Sequence, residues 1–321
     1  MTSHKKIAVV VHDAGASQIL FSLIQANFDK ASWHIITTKN SPAHKIALQR
    51  GLKVDTSYEE KELSADFLFY GTSWQNQLQT KFVDYANDKN ITSVAFLENW
   101  ENYKERFNNQ FPSFICVHDD LAYKTALKES LPNLIKMRNY STIELLDMAK
   151  KKSFEEQNSL LILSEPTKNV AKKLYDNENY WGFTEKDYLK SILKNFNLFN
   201  CNSITIRLHP SDTPDAYHEI MKNHTSIDYH IEKESELIDD LLKSKIVIGI
   251  NTVALYYAYL LGKISISYIP SHNRPCNLPI PLQNQIKSFE QFKIENFEYT
   301  DTNKEVNFGI DFQTLLKRIN R

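Results

Sequence analysis

Short runs of β-branched and aliphatic residues alternate with amphipathic stretches of helical period almost from end to end of this chain. No other feature restricts the fold as much. Strands joined through helices cannot pair as hairpins, so repeating the unit builds a mostly parallel sheet with helices on its faces. In the first half the strand runs fall at 7–11, 33–38, 67–70, 94–97, 114–117 and 134–137, with helical stretches at 17–27, 75–87, 121–129 and 142–152. The polar segment Lys150-Lys-Lys-Ser-Phe-Glu-Glu-Gln-Asn158 has no strand pattern and reads as a linker. Beyond it the alternation restarts. Strands are expected at 160–163, 204–208, 227–231, 246–250 and 264–269, and helices at 169–175, 185–196, 214–223, 234–243 and 252–261. The pattern predicts an α/β chain with two Rossmann-like parallel-sheet domains, 1–152 and 159–300. In the tail 301–321, Phe312, Leu315, Leu316 and Ile319 share one helical face. That helix either crosses back to brace the first domain or caps its own.

A chain of 321 residues suits two such domains. Its formal net charge of -1 lacks the basic excess of a nucleic-acid binder, so no nucleic-acid partner is expected. Only seven glycines occur and no Gly-x-Gly-x-x-Gly follows a strand, which argues against a nicotinamide or flavin and leaves no cofactor expected. No stretch approaches the roughly 18 apolar residues of a membrane span, although peripheral association with a membrane stays compatible. The apolar run 7–11 is too short for a secretion signal. Cys116, Cys201 and Cys276 are odd in number and widely spaced, as expected of reduced thiols in a cytoplasmic protein.

Parallel sheets bind ligands at the carboxyl ends of their strands, where helix N-termini also point. Three polar clusters sit at such ends. In 246–263 the strand run ends at Gly249–Ile250, and Asn251 and Thr252 then open a largely apolar helix. The pair is either a plain cap or a seat for the phosphate and ribose of a nucleotide sugar. In Ile204-Thr-Ile-Arg207-Leu-His209-Pro210-Ser211, His209 falls at a strand end and Pro210 holds it extended. His209 there can give a hydrogen bond or a proton to a departing phosphate, and its occurrence in the same half as Asn251-Thr252 favours that role. The third cluster, Val9-Val-Val-His-Asp13-Ala-Gly15-Ala-Ser17, offers a small-residue turn that a ligand can approach closely. Asp13 is either a base for an acceptor hydroxyl or the cap of the first helix. Glu98, at the end of a later strand, is a second candidate base. Nearby Trp100, Tyr103 and Phe107 read as core packing. Asp119 and Asp120 read as a helix cap, since no Asp-x-Asp pair is formed, and no metal is expected.

Arg207-Leu-His-Pro210, Gly249-Ile-Asn-Thr-Val-Ala-Leu255 and Asp13-Ala-Gly15 together resemble the motifs of bacterial sialyltransferase-like GT-B enzymes, which use CMP-activated nonulosonic acids or Kdo. The segment 97–107, with Glu98-Asn99-Trp100, also resembles a block of glycosyltransferases from nonulosonate gene clusters, where Asp-His-Trp is usual. The resemblance implies a GT-B arrangement, with the two domains facing each other across a cleft. It implies an inverting, metal-independent transfer from a CMP-sugar to a glycan or glycoprotein acceptor. Asp13 or Glu98 would be the base and His209 the phosphate ligand, with Gly15, Arg207, Pro210, Ser211, Asn251 and Thr252 lining the substrate. Asn251 replaces one hydroxyl of the family's pair, and Asp13 is one acid where two are common. Two other readings remain open: a nucleotide-sugar 2-epimerase, and a non-catalytic nucleotide-sugar-binding subunit of polysaccharide assembly.

Overall fold

The computed structural model describes residues 4–72, 78–107, 110–209, 211–290, 292–299 and 309–320. The chain forms two compact units, the first comprising Met1–Glu144 and Val306–Arg321 and the second Leu145–Glu305.

Unit 1 contains strands β1 (Lys6–Val10), β2 (Ser32–Ile36), β3 (Phe67–Gly71), β4 (Thr92–Phe96), β5 (Phe114–Val117) and β6 (Leu134–Lys136). They form one parallel sheet in the order β2-β1-β3-β4-β5-β6. Its helices are α1 (Ala14–Ala26), α2 (Pro42–Gln49), α3 (Leu78–Asp88), α4 (Tyr103–Phe107) and α5 (Asp120–Lys128), and the boundary with unit 2 falls within α6 (Tyr140–Lys151), after Glu144. The side-chain period of two divides each strand between two cores. Ile7 and Val9 of β1 pack with Leu20, Phe21 and Ile24 of α1, whereas Ala8 and Val10 pack with Phe82 and Val83 of α3. A sheet covered on both faces needs apolar residues at every position, which is why these strands read as continuous apolar runs.

Unit 2 repeats the plan. Strands β7 (Gln157–Leu163), β8 (Ser203–Arg207), β9 (Asp228–Glu232), β10 (Ser244–Gly249), β11 (Ile264–Tyr268) and β12 (Gln285–Ile286) lie parallel in the order β12-β11-β10-β7-β8-β9. They are accompanied by α7 (Thr167–Tyr175), α8 (Glu185–Lys194), α9 (Pro214–Met221), α10 (Leu237–Lys243) and α11 (Val253–Leu260). The final helix, α12 (Phe312–Ile319), belongs to unit 1 and buries Phe312, Leu315 and Ile319 in the α1-side core.

The strand order reverses between β1 and β3 in unit 1 and between β7 and β10 in unit 2. Flanking crossovers leave to opposite sides there, opening a crevice at the carboxyl ends where ligands of such sheets bind. Every expected strand is present within a few residues. Two elements lack a readable pattern: β12 has two residues, and α2 is short, starting at Pro42 after a Ser41 cap. The expected linker is shorter than its composition suggests, because Lys150 and Lys151 end α6 and Gln157 and Asn158 begin β7. Among the described residues no helix is long and apolar enough to cross a membrane.

Candidate functional site

At the reversal point of unit 2, Glu165 follows β7 and Asn251 follows β10. The Glu165 carboxylate accepts the Asn251 N–H at 2.5 Å and Arg274 Nη2–H at 3.2 Å. Arg274 in turn lies over the Trp181 ring, 4.3 Å from its centroid. Asn251 Oδ1 accepts the Asn277 N–H at 3.0 Å, so its side chain ties the β10 exit to the segment after β11. Thr252 is the N-cap of α11 and accepts the Ala254 N–H at 3.3 Å. The first turn of α11 therefore stands at the crevice with the partial positive charge of a helix start.

His209 lies two residues beyond β8, the neighbour of β7. Its Nδ1 receives the Ser211 N–H at 3.2 Å, and Ser211 Oγ lies 2.8 Å away. A backbone N–H only donates, so Nδ1 is the acceptor and the proton resides on Nε2. Burial pushes the imidazole below its ordinary value, while Asp212 and Glu165 pull it back. The result is a neutral ring that offers one N–H donor. Pro210 lies outside the described residues. Arg207 is turned elsewhere: its guanidinium pairs with the buried Asp240 and donates to Ser235 Oγ and Ser235 O at 2.9 Å. Ser211, Asp212 and Tyr217 also line a cavity of about 150 Å³ with Asn169 and Lys186. That volume is below the ~300–1,000 Å³ of ordinary ligand pockets.

In unit 1, Asp13 occupies the N-cap position of α1, half-buried, yet its side chain caps nothing. α1 crosses the end of β3 at very close range: a β-carbon on Gly71 would stand 2.2 Å from Ala16 Cβ. One on Gly15 would stand 3.0 Å from Cγ of Glu98. The two glycines thus let the α1 turn reach the end of β4, and the structure brings Gly15 and Glu98 together. Glu98 is committed to protein partners, accepting Thr72 Oγ1–H at 2.9 Å and Arg106 Nη1–H at 2.6 Å. Burial raises its carboxyl, against the pull of Arg106 and Thr72. Asp119 caps α5, accepting the Ala122 N–H at 2.8 Å and Trp100 Nε1–H at 2.7 Å. Asp120 pairs with Lys136 at 3.3 Å. Tyr103 and Phe107 are core residues of α4. Among the described residues no group of three His, Cys, Asp or Glu side chains is placed to hold a metal.

Glu165, Arg274, Thr72 and Arg106 were not singled out from sequence. Glu165 had a signal, since Ser164-Glu165-Pro166 directly follows the run 160–163. Arg274 lies in an irregular segment with none.

No protein-family model matches the sequence, and no curated protein does. Solved structures do resemble the fold. UDP-GlcNAc 2-epimerase from Neisseria meningitidis bound to UDP-GlcNAc superposes with a TM-score of 0.55 at 12% identity, covering 82% of each chain. The 2-epimerase of Rickettsia bellii gives 0.56 at 11% identity, over 80% of this chain and 77% of that one. MurG of Acinetobacter baumannii gives 0.52 at 7% identity, over 87% and 80%. The fold is that of the two-domain GT-B enzymes, with a six-stranded parallel Rossmann-like sheet in each domain. None of these three is a sialyltransferase, so the expected family and its CMP-sugar donor find no support among them.

Proposed function

We propose that this protein is a nucleotide-sugar enzyme that breaks the anomeric C1–O bond of a UDP-sugar, and that the reaction is 2-epimerisation. The observation that carries the nucleotide seat is the reversal point of unit 2, where the α11 N-terminus stands beside Asn251 and a neutral His209 offers Nε2–H. When C1–O breaks, negative charge grows on the leaving phosphate, and fixed N–H donors stabilise it without reorganising. UDP is preferred over CMP because UDP-GlcNAc is the ligand carried by the structural neighbour from Neisseria. Arg207, held by Asp240, acts by shaping the β8 exit rather than by touching the substrate.

Glycosyl transfer is the second reading. It is favoured by Asp13, a carboxylate at a helix cap position that makes no cap bond. Such a group suits the base that takes a proton from an acceptor hydroxyl.

Incubation with UDP-GlcNAc in D2O, followed by proton NMR, separates these reactions. Epimerisation at C2 removes and returns that proton, so deuterium enters C2 and the manno epimer forms. Release of UDP only on addition of an acceptor, without deuterium at C2, selects transfer. Binding without turnover selects the non-catalytic subunit. Failure to bind UDP while CMP-sugars bind restores the CMP donor.

A further inference from the structure

We infer that Asp212 is a positioning residue for His209: it anchors the chain after β8 and thereby keeps the imidazole proton on Nε2. The ring's immediate partner is a weak hold by itself. Ser211, whose N–H and hydroxyl both meet His209 Nδ1, is exposed, and so are Thr213, Pro214 and Asp215 beyond it. Exposed hydrogen bonds compete with water and fix a ring loosely. Thr213, at the N-cap of α9, makes no cap bond that would steady the segment instead. From Ser211 to Asp215 only Asp212 is half-buried.

Asp212 is tied on several sides. Its N–H donates to the His209 carbonyl at 2.8 Å. Its Oδ2 accepts Tyr217 O–H at 2.9 Å and also the Ser164 hydroxyl. Tyr217 is a core residue of α9, 5% exposed. Ser164, the residue after β7, is itself fixed by its N–H on the Arg207 carbonyl at 3.0 Å. The Asp212 carbonyl accepts Lys233 Nζ–H at 2.8 Å from just beyond β9. One residue thus joins the ends of β7, β8 and β9 to α9, and holds its neighbour Ser211 against Nδ1. With donors on Nδ1, the proton of the neutral ring stays on Nε2. The carboxylate has a second effect. Burial lowers the imidazole, and Asp212 and Glu165, the latter paired with Arg274, pull it back. This role rests on the reading of His209 as a ligand of the leaving phosphate, but the tautomer is set, and measured, without nucleotide.

Long-range proton–nitrogen NMR of the imidazoles in the full, nucleotide-free chain tests it, with the His209 signals identified by their loss in His209→Gln. The wild type is expected to show the pure Nε2–H form once the ring is neutral. Asp212→Ala should move both ring-nitrogen shifts toward the average of the two tautomers. The fold should survive, because Ser164 and Tyr217 also meet each other and stay satisfied. Asp212→Asn, whose amide oxygen can accept both hydroxyls, should restore the Nε2–H form. It should also lower the midpoint of His209, since a charge that favoured the protonated ring is gone. In parallel, Asp212→Ala should raise the UDP Kd by roughly threefold or more, and should add nothing once His209 is alanine. A pure Nε2–H ring in Asp212→Ala, or an equal effect on UDP binding with and without His209, overturns the role. No UDP binding by the wild type, with the tautomer responding as described, rejects the nucleotide seat alone.

Discussion

Asp13, the favoured sequence candidate for the base, and Glu98, the second candidate, differ sharply in their surroundings. Glu98 is sealed against Arg106 and Thr72, with side-chain exposures of 12% for the carboxylate and 5% for the guanidinium. Removing one member of such a pair leaves a buried charge uncompensated, at a cost of about 3–5 kcal/mol. Glu98→Gln is therefore expected to lower unfolding stability markedly in urea titrations. Asp13 makes no cap bond, so Asp13→Asn should leave stability within about 0.5 kcal/mol and, on the glycosyl-transfer reading, reduce turnover by about a hundredfold or more. An active Asp13→Asn enzyme would remove it as the base. Glu232 supplies a third test. The N–H groups of Ser235, Glu234 and Lys233, with His230, hold its carboxyl at about 2, against an ordinary 4.5. Because the folded value is the lower one, the stabilisation is present above pH 4.5 and is lost as pH falls toward 2. Glu232→Gln should be less stable at pH 7 and show a flatter acid limb between those values. Parallel stability curves for mutant and wild type would contradict this.

Elements were far more legible than partners. Most of the strands β1 to β11 could be read because they are short apolar runs between polar turns, whatever lies beside them in space; β9, Asp228-Tyr-His-Ile-Glu232, is the polar exception. The pairing of Glu165 with Arg274 spans 109 residues, and that of Arg207 with Asp240 spans 33. Both depend on which strands adjoin β7 and β8, a property of sheet order that no local pattern carries. Of the site, the strand-end positions His209, Asn251 and Asp13 were readable, because strand ends are. The burial that locks Glu98 was not, since it needs Gly15 and Gly71 to admit α1 over β3. Helix α12 shows the same limit: its apolar face was evident, its destination was not. It buries Phe312, Leu315 and Ile319, each worth about 1.5–3 kcal/mol, or roughly 5–9 kcal/mol in all as an upper bound. Domain stabilities are about 5–15 kcal/mol. Truncation before Asp311 should thus leave unit 1 unfolded or barely folded at 25 °C, while unit 2 keeps its cooperative transition in calorimetry. Retention of two full transitions would show that α12 is dispensable.

At the scale of the molecule, each sheet has its own core, and the two candidate sites use different residues. The nucleotide seat is assigned to unit 2 alone, through His209, Asn251 and the start of α11. A ligand that binds only the folded state stabilises what it contacts by mass action, about 2.7 kcal/mol at a hundred times its Kd. For a unit of this size each kcal/mol raises the midpoint by about 2–4 °C, so UDP should raise the unit 2 transition by about 5–11 °C. The sequence supplies reporters for both units. Trp181 lies in the unit 2 core, packed under Arg274, and the half-buried Trp33 packs on the unit 1 core against Phe312. Incorporating 5-fluorotryptophan and following each resonance through a thermal melt reads the transitions separately. UDP is expected to move the Trp181 transition further than the Trp33 transition, and CMP to move it less. His209→Ala should shrink the UDP shift by removing one donor to phosphate, without lowering the midpoint of the free protein. A UDP shift seen first at Trp33 would place the nucleotide on unit 1 and overturn that assignment. A larger shift with CMP than with UDP would return the donor to the one that the Arg207-Leu-His-Pro210 resemblance implied.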